Sequence, residues 1–424
     1  MDSVPYECIL PIFVYSCYTT AMNTHLIYAA EERLAPIFAQ FDQISQENTN
    51  RVMDAFAKHR VSDSMFGGTT GYGYDDAGRD TLDAIYANVF GAEAALVRLQ
   101  FVNGTHAISC ALFGACPPNS TLVSAYGAPY DTLRGVIADD RAGLASAGVA
   151  YKQVEPLACG AVDFTALEAA LASMTQGAVL VQRSRGYSDR RVLTINDIEE
   201  ICAFVKEKNP VVNIVVDNCY GEFVEPREPT HVGADIAVGS LIKNPGGGLA
   251  PSGGYIAGRA DLVDAAAARL TAPGIGGHCG ATFGQNRLLF QGFFFAPHVV
   301  NQALKVGALA SEVMTQLGYD TSPKLNDPRS DIITRIAFGD EQKLLAFCRG
   351  IQAGAPVDSY LTPEPWPMPG YDCNVVMAAG AFIQGASIEL SCDAPIRPPY
   401  AAFLQGGLTY ESGKYGLIKA LANL

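Results

Sequence analysis

Apolar residues along the chain alternate between short β-branched runs and segments with helical spacing. Residues 25–59 carry apolar positions at helical spacing among frequent Ala, Glu, Gln and Leu, which predicts one or two opening helices. Further on, strands are predicted at AALVRLQFV, TLVSA, VAYKQV, AVLVQ and VVNIVVD, separated by helices that begin near residues 81, 103, 132, 164 and 194. This alternation predicts an α/β fold with a mainly parallel sheet covered on both faces.

The pattern changes near residue 326, where short strands and helices surround the proline-rich segment LTPEPWPMPGYD. We therefore predict an N-terminal extension and helical arm (1–65), a large α/β domain (66–325) and a smaller C-terminal α+β domain (326–424). The apolar segment Cys8–Tyr18 is too short to span a bilayer and has no basic flank. Met22 is the expected natural start, because the character of the sequence changes there.

Composition narrows the classes of protein that fit. Hydrophobic residues make up 49% of the chain and charged residues 17%, which is typical of a globular protein. A net charge of -14 argues against nucleic acid or an anionic membrane as partner. The 11 cysteines form no CxxC pair and no Cys/His cluster at ligand spacing, so neither a disulfide framework nor a metal site is predicted. A reducing cytoplasm is the expected compartment.

Candidate chemistry is concentrated in IVVDNCYGEF and ADIAVGSLIKNPGGG. Asp217 ends a β-branched run, and Lys243 follows a second apolar run and precedes a glycine cluster. A lysine amine can form a Schiff base with an aldehyde cofactor, and a carboxylate can keep the cofactor's ring nitrogen protonated. We predict Asp217 at the carboxyl end of a buried strand and Lys243 on a turn whose glycines give the cofactor room.

Simpler interpretations exist for each residue alone, since Asp217 could be a helix cap and Lys243 a solvated charge. The sequence around Lys243 argues against a simple solvated charge. Lys243 is the only lysine between Lys208 and Lys305, and the stretch from residue 236 to 255 is otherwise uncharged.

A second candidate feature is a strand followed by Gly104, Thr105 and a helix start, which is a natural phosphate cradle although a weak signal alone. The absence of a Walker loop and of GxGxxG disfavours nucleotide triphosphates and dinucleotides. The glycine- and tyrosine-rich loop FGGTTGYGYDDAGRD, residues 66–80, is either a simple turn or a functional loop.

Together these residues resemble fold-type I pyridoxal phosphate enzymes, and within them the aluminium-resistance or methionine gamma-lyase-like family, which is related to cystathionine lyases. The resemblance runs from about residue 30 to the C-terminus. The motifs that carry it, in chain order, are GYGYDDAGRDTLD, QFVNGTHAI, GAPYDTL, QRSRGY, VDNCYGEF, GSLIKNPGGG, TAPGIGG, FQGFFFAPHVV, IRPPY and QGGLTYE.

The resemblance implies pyridoxal 5'-phosphate as cofactor and assigns roles to the residues above. Lys243 would form the Schiff base and later move the substrate's α-proton, and Asp217 would pair with the pyridinium nitrogen. Gly104, Thr105 and Ser240 would bind the phosphate. The resemblance also implies that the large domain contains a mainly parallel sheet of the seven-stranded type.

Further cofactor contacts follow from the same resemblance. Ile242 stands where related enzymes have a hydroxyl residue, so one phosphate contact must come from elsewhere. Tyr130 is the expected ring that stacks on the cofactor, with Tyr126 as the other candidate and a structural ring as the alternative for both. Tyr74 and Arg79 are expected to reach the phosphate of a neighbouring subunit.

An amino-acid substrate needs a cation for its α-carboxylate, and arginine provides two parallel hydrogen bonds. Arg397 in IRPPY is the expected residue, with Arg335 and Arg183 as alternatives, and each could instead form an ordinary ion pair. His106 could touch the cofactor ring or be structural.

The implied reaction is carbon–sulfur cleavage of methionine, cystathionine or a similar small amino acid by β- or γ-elimination, giving a keto acid and ammonia. Tyr130 or Tyr74 could protonate the leaving sulfur. An aminotransferase, aldolase or racemase would use the same lysine and aspartate, and a cofactor-binding regulatory protein would keep both with little turnover. A homodimer or homotetramer with shared active sites is expected, the Tyr74 loop meeting TAPGIGG (residues 271–277) across the interface.

Overall fold

The computed structural model describes the backbone of residues 10–368 and 371–424, and the side chains of residues 25–368 and 371–424. The side chains of the apolar segment Cys8–Tyr18 and of Met22 lie outside the described residues. The opening helical segment is a single long helix, α1, at Leu10–Lys58. Its Leu34 and Val52 are fully buried in the core that α1 shares with later helices.

Nine further helices follow α1 in the described residues. They are α2 Ala77–Phe90, α3 Gly104–Ala115, α4 Leu133–Ala138, α5 Phe164–Leu171, α6 Ile195–Lys208, α7 Ala260–Leu270, α8 Asn286–Gln316, α9 Glu341–Ala353 and α10 Tyr410–Asn423.

The described residues also contain 13 strands in two sheets. They are β1 Ala94–Arg98, β2 Thr121–Ser124, β3 Ala150–Gln153, β4 Gly177–Gln182, β5 Asn213–Asp217, β6 Ile236–Ser240, β7 Gly254–Gly258, β8 Asp320–Ser322, β9 Ile333–Ala337, β10 Trp366–Pro367, β11 Asn374–Ala378, β12 Ser391–Pro395 and β13 Ala401–Gln405.

The larger sheet has seven strands in the order β1-β7-β6-β5-β4-β2-β3. All its strands run in the same direction except β7, which pairs antiparallel with both β1 and β6. The predicted mainly parallel sheet is therefore confirmed. β4 and β6 are buried along their whole length, because helices cover both faces.

Two apolar cores lie on opposite faces of this sheet. On one face, Leu112 of α3 and Ala266 of α7 pack against the sheet. On the other, Leu167 of α5 and Ile198 of α6 do so. With both faces covered, the carboxyl ends of the parallel strands are the open edge at which a ligand can bind.

The smaller sheet has six strands in the order β10-β11-β12-β13-β9-β8, and all its pairings are antiparallel. Helices α9 and α10 pack together beside it, which gives the expected α+β character. Since β8 precedes residue 326 and pairs with β9, we propose that the smaller domain begins at or before residue 320. Its strands β11 and β12 face the carboxyl edge of the larger sheet.

Candidate active site

The residues that the sequence singled out most strongly line one cavity of ≈ 220 Å³, the first chamber. Asp217 is the last residue of β5, and Ser240 is the last residue of the neighbouring strand β6. Lys243 follows on the turn after β6, and Gly104 and Thr105 open α3. Adjacent strands and the start of α3 thus bring these five residues together at the carboxyl edge of the sheet.

Asp217 lies at the base of the first chamber. Its carboxylate accepts a hydrogen bond from the Cys219 backbone amide (3.1 Å). Burial raises the pKa of Asp217 to about 6, because removing a carboxylate from water disfavours its charged form. The thiol of Cys219 and the charge of Arg190 oppose this shift and favour the ionised form. A nearby cationic ring nitrogen would act in the same direction.

Lys243 is held by the smaller domain. Its Nζ donates to the Gly385 carbonyl (2.9 Å) and to Ser387 Oγ (2.6 Å). Burial works to lower the pKa of Lys243, but Tyr220 and Asp393 outweigh it and raise the pKa above the usual lysine value. The amine is therefore protonated and fixed in direction in the cofactor-free protein.

The glycines after Lys243 have a different role from the one predicted. A Cβ at Gly246 would lie 1.7 Å from the Leu241 carbonyl oxygen, and one at Gly247 would lie 2.3 Å from the Gly292 carbonyl oxygen. Neither glycine lines the first chamber. They allow the turn to close tightly against α8, so the prediction that they make room for a cofactor is wrong.

The start of α3 has the properties of an anion site. Asn103 caps the helix by accepting a hydrogen bond from the His106 amide (2.8 Å). The amides of Gly104 and Thr105 come first in α3, so no preceding helical turn provides a partner for them. Ser240 Oγ is buried and has no hydrogen-bond partner among the described residues. A Cβ at Gly104 would lie 3.1 Å from Ser240 Cβ, so a larger residue would narrow this corner.

Sequence reasoning missed a hydroxyl at the same corner. Thr132 lines the first chamber, and its Oγ1 lies 2.9 Å from Thr105 Oγ1. It places at this corner a hydroxyl that Ile242 lacks. The signal was present in GAPYDTL, where Thr132 follows Tyr130 by two positions.

Of the two candidate aromatic residues, Tyr130 lines the first chamber and Tyr126 does not. The Tyr130 amide donates to Gln182 Oε1 (2.6 Å), and its hydroxyl makes a short hydrogen bond with that of Tyr371. Tyr126 is buried elsewhere and donates to the Gly160 carbonyl (2.6 Å). The structure thus leaves Tyr130 as the ring available to a ligand.

A second cavity of ≈ 150 Å³ adjoins the first and shares Tyr130, Tyr220 and Lys243 with it. We call it the tyrosine chamber, since Tyr187 and Tyr371 complete a group of four rings. The remaining lining residues come from the smaller domain and are Met368, Met377, Ala379, Ala381, Gly385, Ala386, Ser387, Ser391 and Asp393. The sequence indicated neither this chamber nor its buried Asp393.

The structure does not bring the candidate arginines to Lys243. Arg397 pairs with Asp372 (3.1 Å) and lines a separate depression that touches the tyrosine chamber only through Tyr187. Arg335 pairs with Asp320 and Asp189 at the edge of the smaller sheet.

Arg183 is fully buried, where it pairs with Glu225 (2.9 Å) and donates to Asn218 Oδ1 (2.9 Å). Among the described residues, no arginine lines either chamber. The assignment of Arg397 to the substrate carboxylate therefore has no support in this geometry.

Tyr74 and Arg79 lie away from the first chamber of their own chain. Tyr74 is 54% exposed and stacks on Tyr72, with the ring centroids 5.6 Å apart. Arg79 is buried, and its guanidinium donates to the carbonyls of Gly73, Gly280 and His278. Arg79 therefore ties the glycine-rich loop to residues 278–280 of the same chain and presents no free donor to a neighbour.

His106 does not line the first chamber. Its Nδ1 accepts from the Val102 amide (3.2 Å), and its ring contacts Phe101 edge to face at 5.7 Å. These contacts match the structural alternative.

Within residues 25–368 and 371–424, no cluster of three or more His, Cys, Asp or Glu side chains is arranged to hold a metal ion. The helices of the same ranges include none with the length and hydropathy needed to cross a membrane.

The two-sheet architecture with a lysine and an aspartate at the carboxyl edge is that of fold-type I pyridoxal phosphate enzymes. Residues 23–424 match the family model for methionine gamma-lyase, and the chain belongs to this family. It is 49% identical over 398 residues to the uncharacterized protein YnbB of Bacillus subtilis (strain 168), covering 93% of this chain and 94% of YnbB.

Two solved structures are similar over nearly the whole chain. A provisionally named cystathionine beta-lyase involved in aluminum resistance, from Clostridium acetobutylicum, is 48% identical with a TM-score of 0.92, covering 95% of both chains. A carbon-sulfur lyase involved in aluminum resistance, from Clostridium novyi NT, is 46% identical with a TM-score of 0.92, covering 96% of this chain and 97% of that one.

Proposed function

We propose that the protein is a pyridoxal phosphate-dependent carbon–sulfur lyase that acts on an amino acid of the methionine or cystathionine type. The observation that carries this proposal is the first chamber, where Asp217, Lys243 and the start of α3 meet in one cavity. Membership of the methionine gamma-lyase family and the similarity to the carbon-sulfur lyase of Clostridium novyi NT support the reaction class.

The residues of the first chamber fit the cofactor by their chemistry. The unpartnered Ser240 hydroxyl, the opening amides of α3 and Thr132 would hold its phosphate. Asp217 would face its ring nitrogen, and Lys243 its aldehyde. When bound, the cofactor supplies an electron sink for the pair left after the substrate's α-proton is removed.

Lys243 would act as the base that takes the α-proton and holds it at Nζ. Ser387 and Gly385 orient the free amine from the smaller domain, and they would hold it in the same direction once the substrate has displaced it from the cofactor. The pKa of Lys243 is raised in the cofactor-free protein, so the amine must lose its proton before it can act. Asp217, buried beneath the ring, would stay ionised by pairing with the ring nitrogen.

Tyr130 would have two roles, since it lines both chambers. Its ring would stack against the cofactor, and its hydroxyl, bonded to Tyr371, would point toward the substrate's side chain. Both tyrosines are half-buried, and they would limit the access of water to the space in which the carbon–sulfur bond would break.

The test is an absorbance scan from about 300 to 500 nm of wild type, Lys243→Ala and the control Lys324→Ala, each incubated with pyridoxal 5'-phosphate and then separated from unbound cofactor by gel filtration. Lys324 is a lysine outside both chambers. Methionine and cystathionine are then added while free thiol is followed. We expect a visible band and thiol release in wild type and in Lys324→Ala, and neither in Lys243→Ala.

Absence of the band in wild type would overturn the cofactor assignment. A band without thiol release from either amino acid would overturn the assignment to a methionine- or cystathionine-type substrate. A panel scored for sulfide, keto acid, ammonia and aldehyde then separates cleavage of another sulfur amino acid from transamination, aldol cleavage or racemisation.

A further inference from the structure

The tyrosine chamber combines aromatic rings with one buried acid. Tyr130, Tyr187 and Tyr371 form a mutual group with ring centroids 5.6 to 6.4 Å apart. The fourth ring, Tyr220, has Lys243 Nζ 5.1 Å from its centroid. Aromatic faces attract cations, and they do so more strongly when water is excluded.

Asp393 of β12 is the acid, and it is 3% exposed. Its Oδ2 accepts hydrogen bonds from the Tyr187 hydroxyl and from Gln405 Nε2, both at 2.8 Å. Its Oδ1 is buried and has no hydrogen-bond partner among the described residues. A buried carboxylate oxygen without a partner is unfavourable unless a ligand provides one.

Lys243 does not provide that partner, because its Nζ hydrogen bonds go to Gly385 and Ser387. No other cationic side chain lines the chamber in the part of the chain that the structure describes. The chamber therefore offers the unpartnered Oδ1 of a buried aspartate and four rings to whatever the substrate places in it. Burial raises the pKa of Asp393, and a cation in the chamber would favour its ionised form.

We propose that the tyrosine chamber receives a positively charged group at the sulfur end of the substrate. The preferred substrates would then be amino acids whose side chain is a sulfonium or an aminoalkyl thioether, rather than a neutral thioether. This inference rests on the proposed lyase function and names its substrate class.

The size and charge of the chamber disfavour a zwitterionic end such as that of cystathionine. The volume of ≈ 150 Å³ suits a small alkylated sulfur or a short aminoalkyl group. A distal carboxylate would lie beside Asp393 in a poorly solvated space, where like charges repel strongly.

A cationic side chain also removes the need for a strong acid in the chamber. When a sulfonium leaves the β carbon, the α-proton goes to Lys243 and the carbon–sulfur electron pair goes to sulfur, which departs as a neutral sulfide. When it leaves the γ carbon, a β-proton must also be removed, and the electron pair of that carbon–hydrogen bond forms the new double bond. An aminoalkyl thioether would release a thiolate paired with its own ammonium. Burial raises the pKa of Tyr371 to about 12 and raises those of Tyr130 and Tyr187, so these hydroxyls are weak acids.

The first experiment compares two amino acids of the same shape that contain no sulfur to cleave. 2-Amino-4-(trimethylammonio)butanoate carries the cation, and 2-amino-5,5-dimethylhexanoate is its neutral isostere. Binding of each to the cofactor-loaded protein is measured by calorimetry. We expect the cation to bind at least about tenfold more tightly. Equal binding, or tighter binding of the neutral compound, would overturn the proposal whatever variants are made.

The second experiment repeats the comparison in Asp393→Asn and in the control Asp320→Asn. Both lose one negative charge, and Asp320 lies outside both chambers. We expect Asp393→Asn to lose the preference and Asp320→Asn to keep it, with circular dichroism and the cofactor band reporting folding. If folded Asp393→Asn still binds the cationic amino acid more tightly than its neutral isostere, the proposal is refuted. If that variant does not fold, the wild-type comparison still decides.

Sulfide or thiol release from S-methyl-L-methionine, S-(2-aminoethyl)-L-cysteine and L-methionine separates the two cation types. We expect kcat/KM to be higher for one or both cationic compounds than for methionine. Binding preference without sulfur release from any of the three would refute the lyase function and leave the cation site standing. Thiol release from methionine, without any binding preference for the cationic compound, would refute the cation site and leave the lyase function standing.

Discussion

At the scale of single residues, Asp217 and Lys243 could be predicted because one ends a buried strand of the large sheet and the other follows the next strand by three residues. Asp393 and Tyr371 could not, because they come from the smaller domain and reach Lys243 only through packing of one domain on the other. Arg397 was preferred from a short motif, which does not reveal which way a side chain points, and its guanidinium pairs with Asp372 outside both chambers.

The buried carboxyl of Asp217 predicts a pH effect in the cofactor-free protein. Its pKa is about 6 when folded, against 3.8 for an ordinary aspartate. A carboxyl with a raised folded pKa stabilises the fold below the unfolded pKa and loses this effect as the pH rises through the folded pKa. Relative to Asp217→Asn, the wild-type unfolding free energy should fall by about 2 kcal/mol between pH 4 and 7.

Urea titrations of both proteins at a series of pH values measure this difference. Other buried acids titrate in both proteins and cancel in the comparison. A difference that stays constant from pH 4 to 7 would show that Asp217 is not buried as described.

The placement of Arg397 predicts a small effect on substrate binding. It is 43% exposed at its side chain and pairs with Asp372 outside both chambers. We expect Arg397→Ala to change KM by less than about threefold, in line with loss of a surface ion pair. Steady-state kinetics on the best substrate of the panel measure it. A rise in KM of tenfold or more, with kcat unchanged, would restore the role that the sequence suggested.

At the scale of elements, alternation of apolar runs was enough to predict the parallel strands and the helices between them. The antiparallel insertion of β7 between β1 and β6 was not predictable. The sequence of a short strand such as GYIAG does not indicate whether it runs parallel or antiparallel to its neighbours. The glycine-rich turn after Lys243 was misjudged since only the packed structure shows that α8 approaches its backbone.

The start of α3 gives a prediction at this scale. Asn103→Ala removes the cap on the His106 amide and should cost about 1 kcal/mol of stability. Asp340→Ala removes the equivalent cap of α9, on the Lys343 amide, away from both chambers. We expect similar losses in urea titrations, but several-fold weaker binding of pyridoxal 5'-phosphate in Asn103→Ala alone. Equal cofactor affinity in the two variants would argue against a phosphate site at α3.

At the scale of the whole molecule, the sequence anticipated an α/β domain followed by an α+β domain but not the cavity between them. The Tyr74 loop and TAPGIGG (residues 271–277) are predicted to meet across two subunits, and this stays a prediction. Within one chain, the glycine-rich loop contacts the segment just after TAPGIGG, where the Gly280 amide donates to the Tyr72 carbonyl (2.9 Å). The exposed rings of this region remain candidates for contact with a second copy.

We propose that Tyr72 (75% exposed) and Phe283 (61% exposed) bury their rings in a homodimer. Replacing both by Ser should weaken self-association at least about tenfold, because each ring contributes on the order of 1.5–3 kcal/mol when buried. Sedimentation equilibrium measures the effect, with Tyr360→Ser, 83% exposed elsewhere, as control. An unchanged dimer, or a wild-type monomer, would refute this interface.

The contact between α1 and α10 has a consequence for biosynthesis. Glu31 accepts hydrogen bonds from Tyr410 and Lys414, each at 2.6 Å, and α1 also pairs with α8 through Arg33 and Glu312. Glu31 leaves the ribosome early, whereas its partners are synthesised almost 400 residues later. The apolar face of α1 must therefore stay exposed through most of translation, and the nascent chain is a natural client for chaperones until its final helix is released.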